Sequence, residues 1–195
     1  MRSGVRSPYA PPIIQGRIYS DPFYFEKKRD FMTRKVAVSA CLLGVPCRYD
    51  GGSKPNEEVI QYLNNNDCEV VRICPEVMGG LSIPHPANEI QRRKGKRIVC
   101  DKEGNDNTKA FEEGARIACE RACKKGCTHA ILKAKSPSCG VGKIYDGTFT
   151  GSLVSGDGVA AQLLREAGLI VADEHTFREV FSVSDALRDK GVSDQ

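Results

Sequence analysis

Residues 129–140, with the sequence HAILKAKSPSCG, decide how the fold of this chain is interpreted. The first six residues are largely apolar and predict a buried β-strand. The strand is followed at once by Ser136-Pro137-Ser138-Cys139-Gly140, a turn that carries one thiol and two hydroxyl groups. In proteins built from alternating strands and helices, ligands bind beyond the carboxyl ends of the strands. Cys139 is therefore expected where such a protein holds a functional group.

Strands and helices are predicted to alternate along the rest of the chain. Strands are predicted at 35–39, 69–73, 129–134 and 169–172. Helices are predicted from about Asn56, over about 108–124, over about 158–167 with Asp157 as the N-cap, and near 183–189. Because helices separate strands that are continuous apolar runs, the sequence predicts a single α/β domain. Its sheet is expected to be doubly wound, mostly parallel and Rossmann-like.

Three regions lie outside this alternation. Residues 91–107 are predicted to form a charged excursion, a hairpin with its turn at Glu103-Gly104-Asn105. Residues 1–34 are predicted to be a disordered extension, or a segment upstream of a true start at Met32. The domain itself is assigned to residues 35–175, and residues 176–195 are assigned to a C-terminal helix and a polar tail.

Composition narrows the class of protein. The 195 residues carry a net charge of +4, which permits an anionic or RNA partner without requiring one. No run approaches the ~18 apolar residues of a transmembrane helix, and no signal peptide is visible, so a cytoplasmic protein without a membrane partner is expected. Nine Cys need an explanation, and a reducing compartment and the odd count both disfavour disulfides. Metal binding or catalysis is the better interpretation.

Cys41 and Cys74 directly follow the first two predicted strands, as Cys139 follows the third. Parallel strands end at one edge of a sheet, so these three thiols are expected to converge. They could hold an iron–sulfur cluster with one open iron, or a zinc ion with a water, or they could be buried core residues. Glu76, beside Cys74, is a candidate general base. Cys47 is left open as a fourth ligand, a redox partner or a bystander.

The other Cys and the His residues are assigned mainly structural roles. The remaining Cys are expected to pack in the core, namely the helix-spaced Cys119, Cys123 and Cys127 and the strand-flanking Cys68 and Cys100. His85, His129 and His175 are weak candidates for metal ligands. The basic run at 91–97 is interpreted as a solvated hairpin, with phosphate contacts to a nucleotide or RNA as the alternative.

Four motifs between residues 35 and 174 resemble the TudS-type thiouracil desulfurase family. They are SACLLG at 39–44, CRYDGG at 47–52, CPEV with GGL at 74–81, and KSPSCG at 135–140. The resemblance implies a [4Fe–4S] cluster held by Cys41, Cys74 and Cys139, with the fourth iron open to a thiocarbonyl sulfur. It implies that Glu76 and Ser136 are the catalytic acid/base and an assisting hydroxyl. It also argues against Cys47 as a ligand.

The function implied by the resemblance is non-redox, hydrolytic desulfuration of a thiolated pyrimidine. The products would be the carbonyl compound and sulfide, and the partner a small thiolated nucleobase. Where the family pattern has an Arg after Gly80-Leu81, this chain has His85, a difference that bears on substrate recognition. Two other functions remain open. One is a non-catalytic iron–sulfur or zinc module for redox sensing or partner docking, and the other is a sulfur enzyme acting on a thiolated nucleotide or RNA.

Overall fold

The computed structural model describes residues 13–14, 17–18, 33–93 and 95–191. The chain divides into two units, residues 1–33 and residues 34–195. In the first unit, strands β1 (Ile13–Ile14) and β2 (Arg17–Ile18) pair in antiparallel fashion. The extension predicted at 1–34 and the polar tail after residue 191 fall largely outside the described residues, and they stay predictions.

The second unit alternates strands with helices. Its elements, in chain order, are β3 (Lys35–Ser39), a 3-10 helix (Ala40–Leu43), α1 (Glu57–Asn65), β4 (Glu69–Ile73), α2 (Pro75–Met78), β5 (Asn88–Arg93), β6 (Lys96–Asp101), α3 (Thr108–Lys124), β7 (His129–Leu132), β8 (Lys143–Tyr145), β9 (Leu153–Ser155), α4 (Val159–Glu166), β10 (Ile170–Asp173) and α5 (Phe177–Gly191). No helix in the described parts of the chain has the length and apolar character needed to span a bilayer.

Strands β10, β7, β3 and β4 form, in that order, a parallel sheet in the described part of the second unit. The chain runs from β3 outward to β4, returns past β3 to β7, and continues to β10. The direction in which strands are added therefore reverses between β3 and β7. The predicted doubly wound parallel sheet is confirmed, and a reversal of this kind opens a crevice at the carboxyl ends of the two strands.

Apolar side chains cover both faces of this sheet. One face carries α1 and α5, with a buried cluster that includes Val36, Val38, Val59, Leu63, Ile131, Phe177 and Phe181. The other face carries α3 and α4, with a cluster that includes Ala37, Ile73, Ala118, Ala122, Leu132, Leu164 and Val171. Successive strand residues point to opposite faces, and both faces are buried. This is why the strands are continuous apolar runs rather than alternating ones.

The charged excursion differs in detail from the prediction. Its hairpin is formed by β5 and β6, so the chain reverses between Arg93 and Lys96 and not at Glu103-Gly104-Asn105. The predicted turn exists, but it leads from β6 towards α3, and the Asp101 carboxylate accepts the N–H groups of Glu103 and Asn105 there. Arg92, Arg93 and Lys96 are exposed near the tip of the hairpin. These exposed basic side chains flank the tip, in agreement with the interpretation of the basic run as a solvated hairpin.

The segment between β7 and β10 also differs from the prediction. Strands β8 and β9 pair in antiparallel fashion in a segment for which no strand was predicted. The N-cap of α4 is Gly158, and the prediction of Asp157 is wrong. The Asp157 carboxylate instead accepts the N–H of Gly142 and pairs with Arg165. The first amides of α4 donate to main-chain carbonyls of residues 137–140, so they need no side-chain cap.

Helix α2 packs on α3 through two glycines. A methyl group on Gly114 would overlap the carbonyl group of Pro75, because its Cβ atom would lie only 2.8 Å from the carbonyl carbon. A methyl group on Gly79 would likewise overlap the carbonyl group of Ala110, because its Cβ atom would lie only 2.9 Å from the carbonyl carbon. Main chain therefore contacts main chain, at a separation that leaves no room for a Cβ atom. The contact fixes α2, which carries Glu76, against the long helix α3.

We expect Gly114→Ala to lower the free energy of unfolding by about 1–3 kcal/mol, because the added methyl group must push α2 away from α3. In an ordinary helix interior the same substitution raises stability by about 1 kcal/mol, so the sign of the change separates the two effects. Denaturant unfolding measures it. The exposed Glu112→Ala on the same helix is the control, with an expected change below ~0.5 kcal/mol. A Gly114→Ala protein at least as stable as the wild type would contradict the close contact.

Candidate functional site

A cavity of about 400 Å³ lies where strands β3, β4 and β7 end. Ser39 and Ile73, the last residues of β3 and β4, line it, as does Lys133 directly after β7. The same cavity brings together the predicted ligands, the predicted catalytic residues and Cys47, namely Cys41, Cys47, Cys74, Glu76, Ser136 and Cys139. Residues of the excursion and of the β8–β9 connection complete the lining, among them Asn88, Glu89, Lys102, Tyr145 and Phe149.

The ends of three strands position the three predicted ligands. Cys41 lies in the 3-10 helix that follows β3, and Cys74 is the N-cap of α2 after β4. Cys139 lies in the turn after β7. Cys41 and Cys139 are buried, and Cys74 is half-buried. Each thiol is thus supplied by a short, ordered segment leaving a different strand.

Cys47 contacts two of these thiols. A hydrogen bond from Cys47 lowers the pKa of Cys41 below its ordinary value, against the opposing effect of burial. The Cys47 thiol lowers the pKa of Cys74 in the same way, helped by the main-chain N–H of Val77 at the start of α2. The pKa of Cys47 itself is raised, because its thiol hydrogen-bonds to the other two. A thiol has one proton, so Cys47 donates to one of these two thiols at a time, and Sγ of Cys74 itself donates to the main-chain oxygen of Cys47 at 3.4 Å.

The turn that carries Cys139 is anchored to helix α4. The amides of Gly158 and Val159 donate to the carbonyl oxygens of Gly140 and Pro137, at 2.7 and 2.9 Å. Burial raises the pKa of the Cys139 thiol well above its ordinary value, and a hydrogen bond from Ser39 offsets only part of this effect. In the metal-free protein Cys139 is a neutral thiol, and binding of a metal there would release its proton.

Ser136 links this turn to Glu76. Its Oγ accepts the N–H groups of Ser138 and Cys139, each at 3.1 Å. A hydroxyl group has two acceptor positions and one proton, so both acceptor positions are occupied. The proton is thereby directed to Oε1 of Glu76, 3.4 Å away. The hydroxyl predicted to assist catalysis and the predicted base are therefore in contact.

His85 holds the other oxygen of Glu76. Its Nε2 lies 3.2 Å from Oε2 of Glu76, and its Nδ1 lies 2.8 Å from the main-chain oxygen of Pro86. A carbonyl or carboxylate oxygen only accepts, so this arrangement suits an imidazolium with a proton on each nitrogen. The hydrogen bond to Glu76 raises the pKa of His85 above its ordinary value, against the effect of burial. His85 thus forms an ion pair with Glu76.

Several residues of the cavity were not identified from the sequence. Phe149 has a φ of 59°, a left-handed conformation that costs a residue with a Cβ atom roughly 1–2 kcal/mol. The neighbouring Asp146-Gly147 pair indicates a turn, but nothing in the sequence marks Phe149 as part of a site. Lys133 did have a visible signal, because a Lys directly after a buried apolar strand needs a partner. It forms an ion pair with the buried carboxylate of Glu174.

The remaining candidates lie away from the cavity. Cys100, Cys119 and Cys127 are buried and Cys68 is half-buried, whereas Cys123 is exposed, contrary to the expectation that it packs. The ring of His129 packs edge-on against Phe181 with their centroids 4.5 Å apart, and His175 is exposed. Within the described ranges, no group of three or more His, Cys, Asp or Glu side chains is arranged to hold a single metal ion.

The sequence matches the family model of 2-thiouracil desulfurases over residues 36–176. An uncharacterised protein of Bacillus subtilis (strain 168), YbbK, is 35% identical over 151 residues, which cover 74% of this chain and 99% of that protein. A solved structure of the [4Fe–4S]-dependent thiouracil desulfidase TudS is 39% identical, covers 80% of this chain and 99% of its own, and has a TM-score of 0.70. On these findings, the chain belongs to the 2-thiouracil desulfurase family.

Proposed function

We propose that this protein hydrolytically desulfurates a thiolated pyrimidine of the thiouracil type, with a [4Fe–4S] cluster held by Cys41, Cys74 and Cys139. The observation that carries the proposal is that these three thiols line one cavity with Glu76 and Ser136. Membership of the desulfurase family and the similarity to a [4Fe–4S]-dependent enzyme support it. One water replaces the sulfur of C=S by oxygen and one hydrogen sulfide leaves, so the overall reaction transfers no electrons.

The donor set suits a cluster better than a single ion. Cys41, Cys74 and Cys139 come from three different strand ends, and a cluster binds each Cys to a different iron. A zinc ion needs its ligands around one point, and the similar solved structure is that of a [4Fe–4S]-dependent enzyme. When bound, a cluster with three Cys ligands has an iron that lacks a protein ligand and is a Lewis acid for a thiocarbonyl sulfur. Nine free thiols also fit a reducing, cytoplasmic location.

Glu76 is placed to take a proton from the attacking water. It lines the cavity, and Ser136 and His85 each hold one of its two oxygens. These contacts fix the direction of the carboxylate, and proton transfer by a positioned group contributes about 10²–10⁴-fold to a rate. The proton that Glu76 accepts can then be returned to the departing sulfide. Ser136 keeps the carboxylate oriented throughout.

The alternative functions have less support. A sensor or docking module needs neither Glu76 nor Ser136, yet specific hydrogen bonds hold both at the cavity. An enzyme that acts on RNA would draw on the basic run at 91–97, which lies on the hairpin β5–β6 with its tip exposed. The cavity volume of about 400 Å³ falls in the range of small-molecule sites.

We expect Cys41→Ser, Cys74→Ser and Cys139→Ser each to lose the bound iron and the visible absorbance of the anaerobically reconstituted protein. The wild type should hold about four iron atoms per chain. Cys47→Ser should keep the iron, since the three proposed ligands are other residues, and the exposed Cys123→Ser is the control. Iron and sulfide analysis with absorbance spectroscopy measures the outcome. Iron loss in Cys47→Ser would point to four Cys ligands, and one zinc per chain would contradict the cluster.

We expect Glu76→Gln to keep the cluster but to lower the rate of desulfuration of 2-thiouracil by about 10²–10⁴-fold, because the amide cannot take a proton from water. Sulfide release and uracil formation are followed in parallel with the cluster absorbance. The exposed Glu58→Gln, on α1, is the matched control and should leave the rate unchanged. A Glu76→Gln enzyme with the wild-type rate would rule out Glu76 as the base.

We expect the pKa of His85 to lie above its ordinary value of 6.5 in the wild type and to fall in Glu76→Gln, because the carboxylate partner is lost. The raised pKa means that the ion pair stabilises the fold fully below pH 6.5 and loses this effect as the pH rises through the raised value. NMR titration of the imidazole protons in the metal-free protein measures the pKa. Glu58→Gln should leave it unchanged, and an equal pKa in wild type and Glu76→Gln would contradict the ion pair.

A further inference from the structure

The connection between β8 and β9 brings an aromatic residue to the cavity in an unfavourable backbone conformation. Phe149 lines the cavity, is half-buried, and belongs to none of the three buried apolar clusters found among the described residues. Its φ of 59° lies in the left-handed region, which bulky residues avoid and Gly adopts freely. Core packing therefore does not explain why a Phe occupies this position.

Hydrogen bonds from the neighbouring hairpin impose this conformation. Glu89 of β5 is buried, and its Oε2 accepts the N–H groups of Gly147 and Phe149 at 2.9 and 3.0 Å. Gln91 of the same strand donates from Nε2 to the main-chain oxygen of Gly147 at 2.8 Å. An unfavourable backbone conformation that its surroundings over-determine is typical of residues that serve a ligand site. The carboxylate of Glu89 thus holds the Phe149 backbone at the edge of the cavity.

We propose that Phe149 provides an aromatic wall on which the planar ring of the substrate stacks, and that Glu89 is the residue that positions this wall. The inference rests on the proposed function for its substrate, a thiolated pyrimidine. Base–aromatic stacking is insensitive to the substituents of the ring, because every such ring has a π face. Stacking also fixes the plane of the ring. The edge that carries the thiocarbonyl group is then left free to face the thiols and Glu76.

Phe149→Gly tests the wall without endangering the fold, because it removes the ring and relieves the backbone conformation together. In the cluster-loaded enzyme its Tm should equal or exceed that of the wild type. Its KM for 2-thiouracil should rise roughly 5- to 100-fold, the effect of losing one base–aromatic stacking contact. Phe149→Tyr keeps a ring and should restore the wild-type KM. Asp67→Gly, which relieves a φ of 46° at an exposed turn before β4, is the control and should leave KM unchanged.

The dissociation constant of uracil, the expected product, gives a readout that does not depend on turnover. Measured by saturation-transfer NMR, it should rise in Phe149→Gly by about the same factor as KM. A wild-type enzyme that releases no sulfide from 2-thiouracil would overturn the proposed function. The stacking wall alone would be overturned if the wild type turns over 2-thiouracil and both KM and the uracil dissociation constant of Phe149→Gly lie within about twofold of the wild-type values.

A double-mutant cycle tests the positioning role of Glu89. Glu89→Ala should raise KM in the wild-type background but add little in the Phe149→Gly background, where the ring is already gone. Glu89→Gln keeps an acceptor oxygen for the two amides and should lie near the wild type. The cluster absorbance of each variant reports whether it is folded and loaded. Equal effects of Glu89→Ala on KM in the two backgrounds would overturn the positioning role.

Discussion

The reversal of strand order between β3 and β7 is the constraint on which the site depends. It leaves a crevice at the carboxyl ends of these two strands, which neighbouring connections cannot fill. The register of the strands then sets how far along the sheet each thiol lies. Ser39 pairs with Ile73, so β3 and β4 end at the same level, and Cys41 and Cys74 leave the sheet side by side. Cys139 follows β7 on the far side of the reversal, and the three thiols line one cavity although they are distant in sequence.

Two helix contacts convert this rough convergence into a defined geometry. The contact of Gly79 and Gly114 seats α2 directly on α3, which fixes Cys74 at its N-cap and Glu76 in its first turn. The amides at the start of α4 hold the turn at 137–140, which carries Cys139. Ser136 links the turn that carries Cys139 to helix α2, since its hydroxyl accepts from the N–H of Cys139 and donates to Glu76. A shift of α2 or α4 would therefore change the distance between Glu76 and the thiols.

Much of this could be predicted from the sequence, and the failures have a common physical cause. The strands, α3 and the convergence of the thiols follow from local apolar patterns together with the rules of parallel sheets. Asp157 was misassigned because its competitors as a cap, the carbonyls of the turn at 137–140, are neighbours only in the folded chain. The roles of His85 and Phe149 were missed for the same reason, since each depends on a partner, Glu76 or Glu89, brought in by the fold. Predictions failed where a distant contact overrode the local pattern.

The charges of the cavity explain why these distant partners are needed. The charge of Glu76 opposes ionisation of the neighbouring Cys74 thiol, and like charges in a partly buried site disfavour one another. A protonated His85 offsets this repulsion, because its Nε2 lies 3.2 Å from Oε2 of Glu76. An Arg would keep its positive charge at every physiological pH. A His keeps it only below its raised pKa, so the positive charge beside Glu76 in this chain depends on pH.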